Sequence, residues 1–173
     1  MKSITLILVA LMLCLYGFSQ NGQPANELFQ AALTKAKKEH KNIFIMFTAT
    51  WCGPCQYLKR GLYDEYNVEY FEKNYVILEL YNKEKGSKRT LENQGGDSLL
   101  VLYKGDTTAV PYWLILNPNG KKLYGELGFS NYPEDLTRFV KILKSTSHLT
   151  DGELKMIYDR FKQVARIVPK SDD

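Results

Sequence analysis

Hydrophobic residues recur along the chain in two patterns, one helical and one typical of strands. The first helical segment ends near His40 with lysines on its polar side, and its apolar positions recur every three or four residues: Leu28, Phe29, Ala32, Leu33 and Ala36. A continuous apolar run at residues 43–47 follows and predicts a strand covered on both faces. The pattern therefore predicts a helix that leads into a buried strand.

Three more strands are predicted further along. A second apolar run at residues 75–81 is interrupted by Glu79, and a third lies at residues 112–116. The segment at residues 122–127 is expected to return as the second strand of a hairpin, because a strong turn signal precedes it: Asn117-Pro118-Asn119-Gly120.

Helical and polar segments separate these strands. The chain turns helical after Cys52, as far as about residue 66. Residues 82–97 are polar and contain glycines, which predicts an exposed excursion with room for a short helix. Residues 98–104 can form one or two helical turns with Ser98 as the N-cap.

Two helices are predicted after the hairpin. Pro133 opens the first, and Thr150 with Glu153 resembles a capping box ahead of the second. The order of elements fits an α/β domain with a central mixed sheet of about four strands, flanked by helices and followed by an extra C-terminal helix. The first two strands are expected to be parallel, because a helix crosses over between them.

Composition narrows the class of protein. The chain has 173 residues, of which 45% are hydrophobic, enough for one domain with a buried core. Its 23 basic and 19 acidic residues leave a net charge of +4 without a dense basic block, so we expect no nucleic-acid partner. The three cysteines are an odd number, which suggests a free thiol or a segment that is removed.

The N-terminus reads as a secretory signal peptide. A short positive head with Lys2 precedes an almost wholly apolar run at residues 4–18, which is shorter than a usual membrane span. A membrane anchor is one alternative. Lipidation is another, but Leu13 stands before Cys14 where a lipoprotein needs a small residue.

These signals divide the chain into four parts. Residues 1–19 are the predicted signal peptide, 20–26 a flexible segment, 27–148 the main domain and 149–173 a C-terminal helical extension. Removal of the signal peptide predicts an exported protein, periplasmic or secreted. The mature chain then keeps one pair of cysteines, Cys52 and Cys55.

The candidate chemistry lies in this pair and its neighbours. Cys52 is expected at a helix N-terminus, where unpaired N–H groups and the helix dipole lower the pKa of a thiol. Cys55, one turn further, is expected to be shielded and to resolve a mixed disulfide. Gly53 permits a tight approach, Pro54 suits the first helical turn, and Trp51 screens one side of the sulfur.

Two other interpretations of the pair stay open. Half of a zinc site would need two more ligands, and only His40 and His148 could supply them, so we expect no metal. A purely structural disulfide suits an exported protein, although such bridges seldom span a tight turn between a strand and a helix.

The chain resembles the thioredoxin family over residues 28–143. A buried strand precedes the family's own active-site motif, Trp51-Cys52-Gly53-Pro54-Cys55, and Val110-Pro111 matches its cis-proline loop before the third strand. Gly128 also matches a family glycine. The resemblance implies a thioredoxin-like fold and thiol:disulfide oxidoreductase activity, with a redox-active Cys52–Cys55 disulfide and no other cofactor.

The resemblance also implies where substrate binds and where this chain departs from the family. Val110 and Pro111 are expected to contact substrate, and the neighbouring Tyr112 either lines a peptide groove or is a half-buried aromatic with a solvated hydroxyl. Met46 occupies the position of the family's buried acid, so Glu79 is a possible proton acceptor; the simpler interpretation is a carboxylate that reaches solvent. The excursion at 82–97 either shapes partner choice or is solvated loop, the latter being favoured.

We therefore predict an exported enzyme that exchanges thiols and disulfides with protein or peptide substrates, by reduction or isomerisation. A membrane thiol carrier is the expected electron donor, and the protein is expected to be a monomer. The missing first strand and the lysine-rich opening helix resemble short exported thioredoxin-like proteins. A peptide-binding or chaperone module with a resting disulfide is the alternative, and a peroxidase-like enzyme is a weaker one.

Overall fold

The predicted sheet forms, and its strands lie within a residue of the apolar runs. The structure is a computed structural model that describes residues 22–167. Its strands are β1 (Asn42–Thr48), β2 (Tyr75–Tyr81), β3 (Tyr112–Leu116) and β4 (Lys122–Leu127), in the spatial order β2-β1-β3-β4. β1 is parallel to β2 and antiparallel to β3, and β3 is antiparallel to β4. The predicted α/β class with a mixed four-stranded sheet is confirmed.

Helices cover both faces of the sheet. They are α1 (Ala25–Glu39), α2 (Gly53–Leu62), α3 (Val68–Asn74), α4 (Gly96–Leu102), α5 (Pro133–Thr146) and α6 (Asp151–Ile167), with a 3-10 helix at Gly86–Leu91. Within residues 22–167, none of them combines the length and apolar character that crossing a bilayer requires. The predicted signal peptide, residues 20–21 of the predicted flexible segment and residues 168–173 of the predicted extension lie outside the described residues.

Strand β1 contributes to a core on each side of the sheet, as its continuous apolar run predicts. Phe44 and Met46 face one core together with α2, α5 and α6, and this core is rich in stacked and edge-to-face aromatic rings. The intervening residues of β1 face the other core, beneath α1 and α4. Burial on both faces fixes the register of β1, because a slip of one residue would exchange its two faces.

The helix that follows the cysteines is shorter than predicted. It ends at Leu62 instead of near residue 66, and α3 is a separate helix that the sequence pattern did not indicate. The side chain of Asn67 causes the break, because its Nδ2 donates to the carbonyl oxygen of Gly61 at 2.9 Å. Asp64 also accepts from the backbone N–H of Tyr66 at 3.1 Å. Both bonds favour a turn over continued helix.

Two boundaries on the α1 side also differ from the prediction. Helix α4 begins at Gly96 after Gly95, whose φ of 86° favours glycine, so the predicted N-cap Ser98 lies inside the helix. Helix α1 begins at Ala25, inside the segment predicted to be flexible. The N–H of Ala25 donates to the carbonyl oxygen of Gln94 at 2.8 Å, which ties the start of α1 to the excursion at 82–97.

The C-terminal helix α6 packs into the main core. Its capping box forms as predicted, with the Thr150 N–H donating to Glu153 Oε2 at 2.7 Å. The backbone of α2 approaches the ring of Phe161 so closely that a Cβ atom on Gly61 would lie 2.0 Å from it. The described part of the predicted extension is therefore integral to the domain.

Candidate active site

The cysteine motif lies at the junction between β1 and α2. The N–H of Cys52 donates to the carbonyl oxygen of Ala49 at 3.2 Å, and Cys52 is the N-cap of α2. Pro54 lies in the first turn, where its missing N–H costs no helical hydrogen bond. The structure thus places the motif at a strand-to-helix turn, as its sequence context predicts.

The two cysteines form a disulfide, with their sulfur atoms 2.06 Å apart. Cys52 is 2% exposed and Cys55 is fully buried, so only Cys52 reaches the surface. The backbone N–H of Cys55 points at the Sγ atom of Cys52 from 3.2 Å. In the reduced protein this N–H and the N-terminus of α2 would stabilise a thiolate on Cys52.

A second loop, distant in sequence, meets the cysteines. The carbonyl oxygen of Val110 lies 3.4 Å from Sγ of Cys52, and the Val110–Pro111 peptide bond is cis. The residue that follows β4 also binds this loop, because the N–H of Gly128 donates to the carbonyl oxygen of Pro111 at 2.7 Å. Gly128 has a φ of 84°, a conformation that favours glycine. Both sequence motifs therefore meet at one site.

The side chain of Tyr112 does not line this surface, contrary to expectation. It is 5% exposed and packs in the core beneath α1 and α4. Its hydroxyl accepts a hydrogen bond from Lys122 Nζ at 3.0 Å. The physical reason is strand alternation: Tyr112 pairs with Phe47 across the sheet, and both rings face the same core.

The polar excursion at 82–97 forms hydrogen bonds with the two residues just before Cys52. Glu84 is 4% exposed, and its carboxylate accepts from the Thr50 N–H at 2.6 Å and from the Thr50 hydroxyl at 2.8 Å. The indole N–H of Trp51 donates to the carbonyl oxygen of Lys83 at 2.7 Å. Lys85 Nζ lies 4.0 Å from the centre of the Trp51 ring. The excursion is therefore part of the site, whereas solvated loop was the favoured interpretation.

A comparison with protein-family models agrees with this geometry of the cysteine motif and the proline loop. A profile of the thioredoxin-like domain family matches residues 29–141. The chain belongs to the thioredoxin-like family. Its cysteine pair is accordingly of the thiol:disulfide oxidoreductase type.

Individual thioredoxin-like proteins give similarities of different extent. A candidate disulphide-isomerase from Bacteroides thetaiotaomicron shares 30% identity and a TM-score of 0.50, over 68% of this chain and 88% of its own. A disulphide isomerase from Xylella fastidiosa Temecula1 shares 19% identity and a TM-score of 0.48, over 81% of this chain and 90% of its own.

Curated relatives match over a short segment only. Thioredoxin H-type from Chlamydomonas reinhardtii is 61% identical over 28 residues, which are 16% of this chain and 25% of that protein. Thioredoxin H-type from Oryza sativa subsp. indica is 53% identical over 30 residues. The chain spans a quarter of the length of each of these two relatives.

Met46 stands where the resemblance implies a buried acid. Met46 is fully buried, and its register partner Glu79 lies beside it on β2. Glu79 is largely buried and pairs with Lys59 Nζ at 2.6 Å, so it is neither free in solvent nor in hydrogen-bond contact with a cysteine. Burial lowers the pKa of Lys59, but the hydrogen bond and charge of Glu79, with Tyr81, outweigh it and raise that pKa.

The predicted reason for Gly53 is wrong. A Cβ atom built on Gly53 would meet no atom within 4 Å, and its φ is not in the left-handed region. The turn between the cysteines therefore closes without requiring glycine. The open space above Gly53 instead leaves room for another molecule beside Cys52.

Proposed function

We propose that this protein is an exported thioredoxin-like enzyme that catalyses thiol–disulfide exchange, as a reductase or isomerase of disulfides in exported proteins. The observation that carries the proposal is the Cys52–Cys55 disulfide at the N-terminus of α2, with Val110 beside the outer sulfur. Thioredoxin-like oxidoreductases act on protein thiols, so the proposed substrates are proteins or peptides.

The reducing reaction proceeds in two exchanges. The Cys52 thiolate attacks one sulfur of the substrate disulfide, so that a Cys52–substrate disulfide forms and the other substrate sulfur leaves as a thiolate. Cys55 then loses its proton and attacks Sγ of Cys52. The second substrate thiol is released, the substrate has gained two electrons, and the enzyme is left with its Cys52–Cys55 disulfide.

The residues around the sulfurs support these roles. The Cys55 N–H and the start of α2 stabilise the attacking thiolate, and burial protects Cys55 until a substrate is bound. Val110 and Pro111 are the proposed substrate contacts, because Val110 flanks the accessible sulfur. Trp51 and Pro54 shape the entrance and the first helical turn, and Gly53 leaves the approach open.

Glu79 is the proposed acceptor of the Cys55 proton. It pairs with Lys59, which lies one helical turn after Cys55 on α2. Replacing Glu79 with Gln should lower the rate of the resolving step by at least about tenfold and change its pH dependence, as loss of a general base does. A Glu79→Gln enzyme with the wild-type pH–rate profile would remove Glu79 from the mechanism.

The proposed direction is reduction or isomerisation. A Gly-Pro pair between the cysteines resembles reductants more than strong oxidants. An exported reductant works in an oxidising compartment, so it needs a donor that returns two electrons to Cys52 and Cys55, for which we propose a membrane thiol carrier. Export itself is proposed from the apolar run at residues 4–18.

Turnover separates this proposal from a binding module. With dithiothreitol as electron source, the wild-type protein should accelerate reduction of insulin disulfides, and Cys52→Ser should abolish the acceleration. A peptide-binding or chaperone module would bind unfolded peptides equally well with either residue and would not accelerate reduction. Equal rates with and without the wild-type protein would therefore contradict the proposed function.

A further inference from the structure

A groove opens next to the cysteine pair, between the excursion and the proline loop. Its lining includes Trp51 and also Thr108 and Ala109, which immediately precede Val110 in the chain. The other lining residues belong to the excursion: Lys83, Glu84, Lys85, Arg89 and Glu92. Because Trp51 adjoins Cys52 and Ala109 adjoins Val110 in the chain, the groove borders the site at which substrate is proposed to react.

The exposed charge of the groove is positive. Lys85 and Arg89 are exposed, and within residues 22–167 neither takes part in an ion pair. Glu84 is buried, and its two carboxylate oxygens accept from Thr50 and make no ion pair with Lys85 or Arg89. Lys83 is matched by Asp97 at 2.9 Å.

The remaining acid of the groove is already engaged. Glu92 is only partly exposed, and its Oε1 atom accepts the N–H of Glu84 at 2.7 Å. Lys88, which is exposed on the same 3-10 helix, adds a further positive charge near the rim. The exposed charged side chains of the lining and of the 3-10 helix are thus all cations, Lys85, Lys88 and Arg89, whereas the two acids of the lining are buried or only partly exposed.

Contacts with Thr50 and Trp51 hold the segment that carries Lys85. Lys85 follows Lys83 and Glu84 in the chain. Glu84 accepts from the Thr50 N–H, and the carbonyl oxygen of Lys83 accepts from the indole N–H of Trp51. Lys85 Nζ is further held 4.0 Å from the centre of the Trp51 ring, which is itself 47% exposed at the mouth of the site. These contacts anchor residues 83–85, and with them Lys85, beside the cysteine motif.

We propose that the groove selects substrates in which acidic residues flank the disulfide to be exchanged. Asp or Glu side chains of the substrate would pair with Lys85 and Arg89 while the substrate sulfur meets Cys52. The proposal rests on the proposed thiol–disulfide exchange and adds its substrate class. Charge complementarity of this kind raises the rate of encounter and is weakened by salt.

Three synthetic peptides with the same disulfide test the proposal, one with two Asp, one with two Asn and one with two Lys beside the cysteine. At low salt the wild-type protein should reduce the Asp peptide with a kcat/KM about fivefold above that of the Asn peptide, as expected for two exposed ion pairs. The Lys peptide should be the poorest substrate. Added salt of about 0.5 M should bring the three values together.

Two double variants test whether the preference for the Asp peptide depends on the cations of the groove. The double variant Lys85→Gln, Arg89→Gln should bring the Asp-to-Asn ratio close to one. The control Lys35→Gln, Lys38→Gln removes the same charge from exposed positions on α1, far from the cysteines along β1, and should keep the wild-type ratio. Reduction of all three peptides at equal rates by the wild type would overturn the acidic preference alone. Failure to reduce any of them would instead count against thiol–disulfide exchange.

Discussion

At the scale of single residues, the motif residues could be predicted because their chemistry is local. The five consecutive residues 51–55 are enough to predict one thiol at a helix N-terminus and a second thiol one turn later. Glu84 could not be predicted in this way, because it bonds Thr50 across 34 positions and no spacing rule connects the two. The interpretation of Tyr112 as a groove residue is wrong, because adjacency to Pro111 does not determine which face of β3 its side chain takes.

Glu84 should contribute to stability through its two bonds to Thr50. In Glu84→Gln the amide nitrogen would donate to the Thr50 hydroxyl instead of accepting from it, so two charge-assisted hydrogen bonds become weaker neutral ones and the free energy of unfolding should fall by about 1–2 kcal/mol. Urea unfolding of the oxidised protein at pH 7 measures this. Glu134→Gln, at an exposed position in the first turn of α5, should change it by less than about 0.5 kcal/mol. Equal losses in both variants would contradict the structural role of Glu84.

At the scale of elements, the strands could be predicted closely because burial on both faces demands continuous apolar runs. Helix ends were less predictable where a distant or non-local group sets them. The break after Leu62 depends on Asn67 bonding back to Gly61, and the start of α4 depends on the left-handed conformation of Gly95. Periodicity reports the face of a helix but not the turn at which it stops.

The contact between α2 and α6 should make Gly61 sensitive to substitution. In Gly61→Ala the new methyl would overlap the ring of Phe161, which is enclosed by other aromatic rings and has little room to move. We expect a loss of about 1–3 kcal/mol in the free energy of unfolding. Gly53→Ala meets nothing within 4 Å and should be close to neutral. Comparable thermal midpoints for the two variants would argue against the close helix approach.

At the scale of the whole molecule, composition and the order of elements indicated the fold class. The way in which α6 closes the core could not be read from the sequence, because its partners lie about a hundred residues away. Tyr57 donates to the carbonyl oxygen of Phe161 at 2.8 Å, and Arg160 Nη2 contacts Asp64 at 2.8 Å. These contacts make the last helix part of the domain that carries the site.

The ion pair between Asp64 and Arg160 should make the stability of the fold depend on pH. Burial raises the pKa of Asp64, but its bonds to Arg160 and to the Tyr66 N–H outweigh burial and hold that pKa below the ordinary 3.8. A carboxyl pKa that is lower in the folded than in the unfolded state stabilises the fold at any pH above the unfolded-state pKa. This stabilisation is lost as the pH falls through the folded-state pKa.

Asp64→Asn should therefore lower the urea midpoint at pH 7, and the difference from wild type should shrink as the pH is lowered from 4 towards about 2. Urea titrations across this range follow the difference. An offset that stays constant down to the lowest pH would mean that ionisation of Asp64 does not contribute.

The central claim is that Cys52 attacks the substrate and Cys55 releases it. Its most direct test is to mix each single Ser variant with a disulfide substrate and to measure the mass of the protein under non-reducing conditions. Cys55→Ser should accumulate a mixed disulfide through Cys52, while Cys52→Ser, whose remaining thiol is fully buried, should accumulate none. A mixed disulfide trapped on Cys52→Ser, or its absence from Cys55→Ser, would contradict this account.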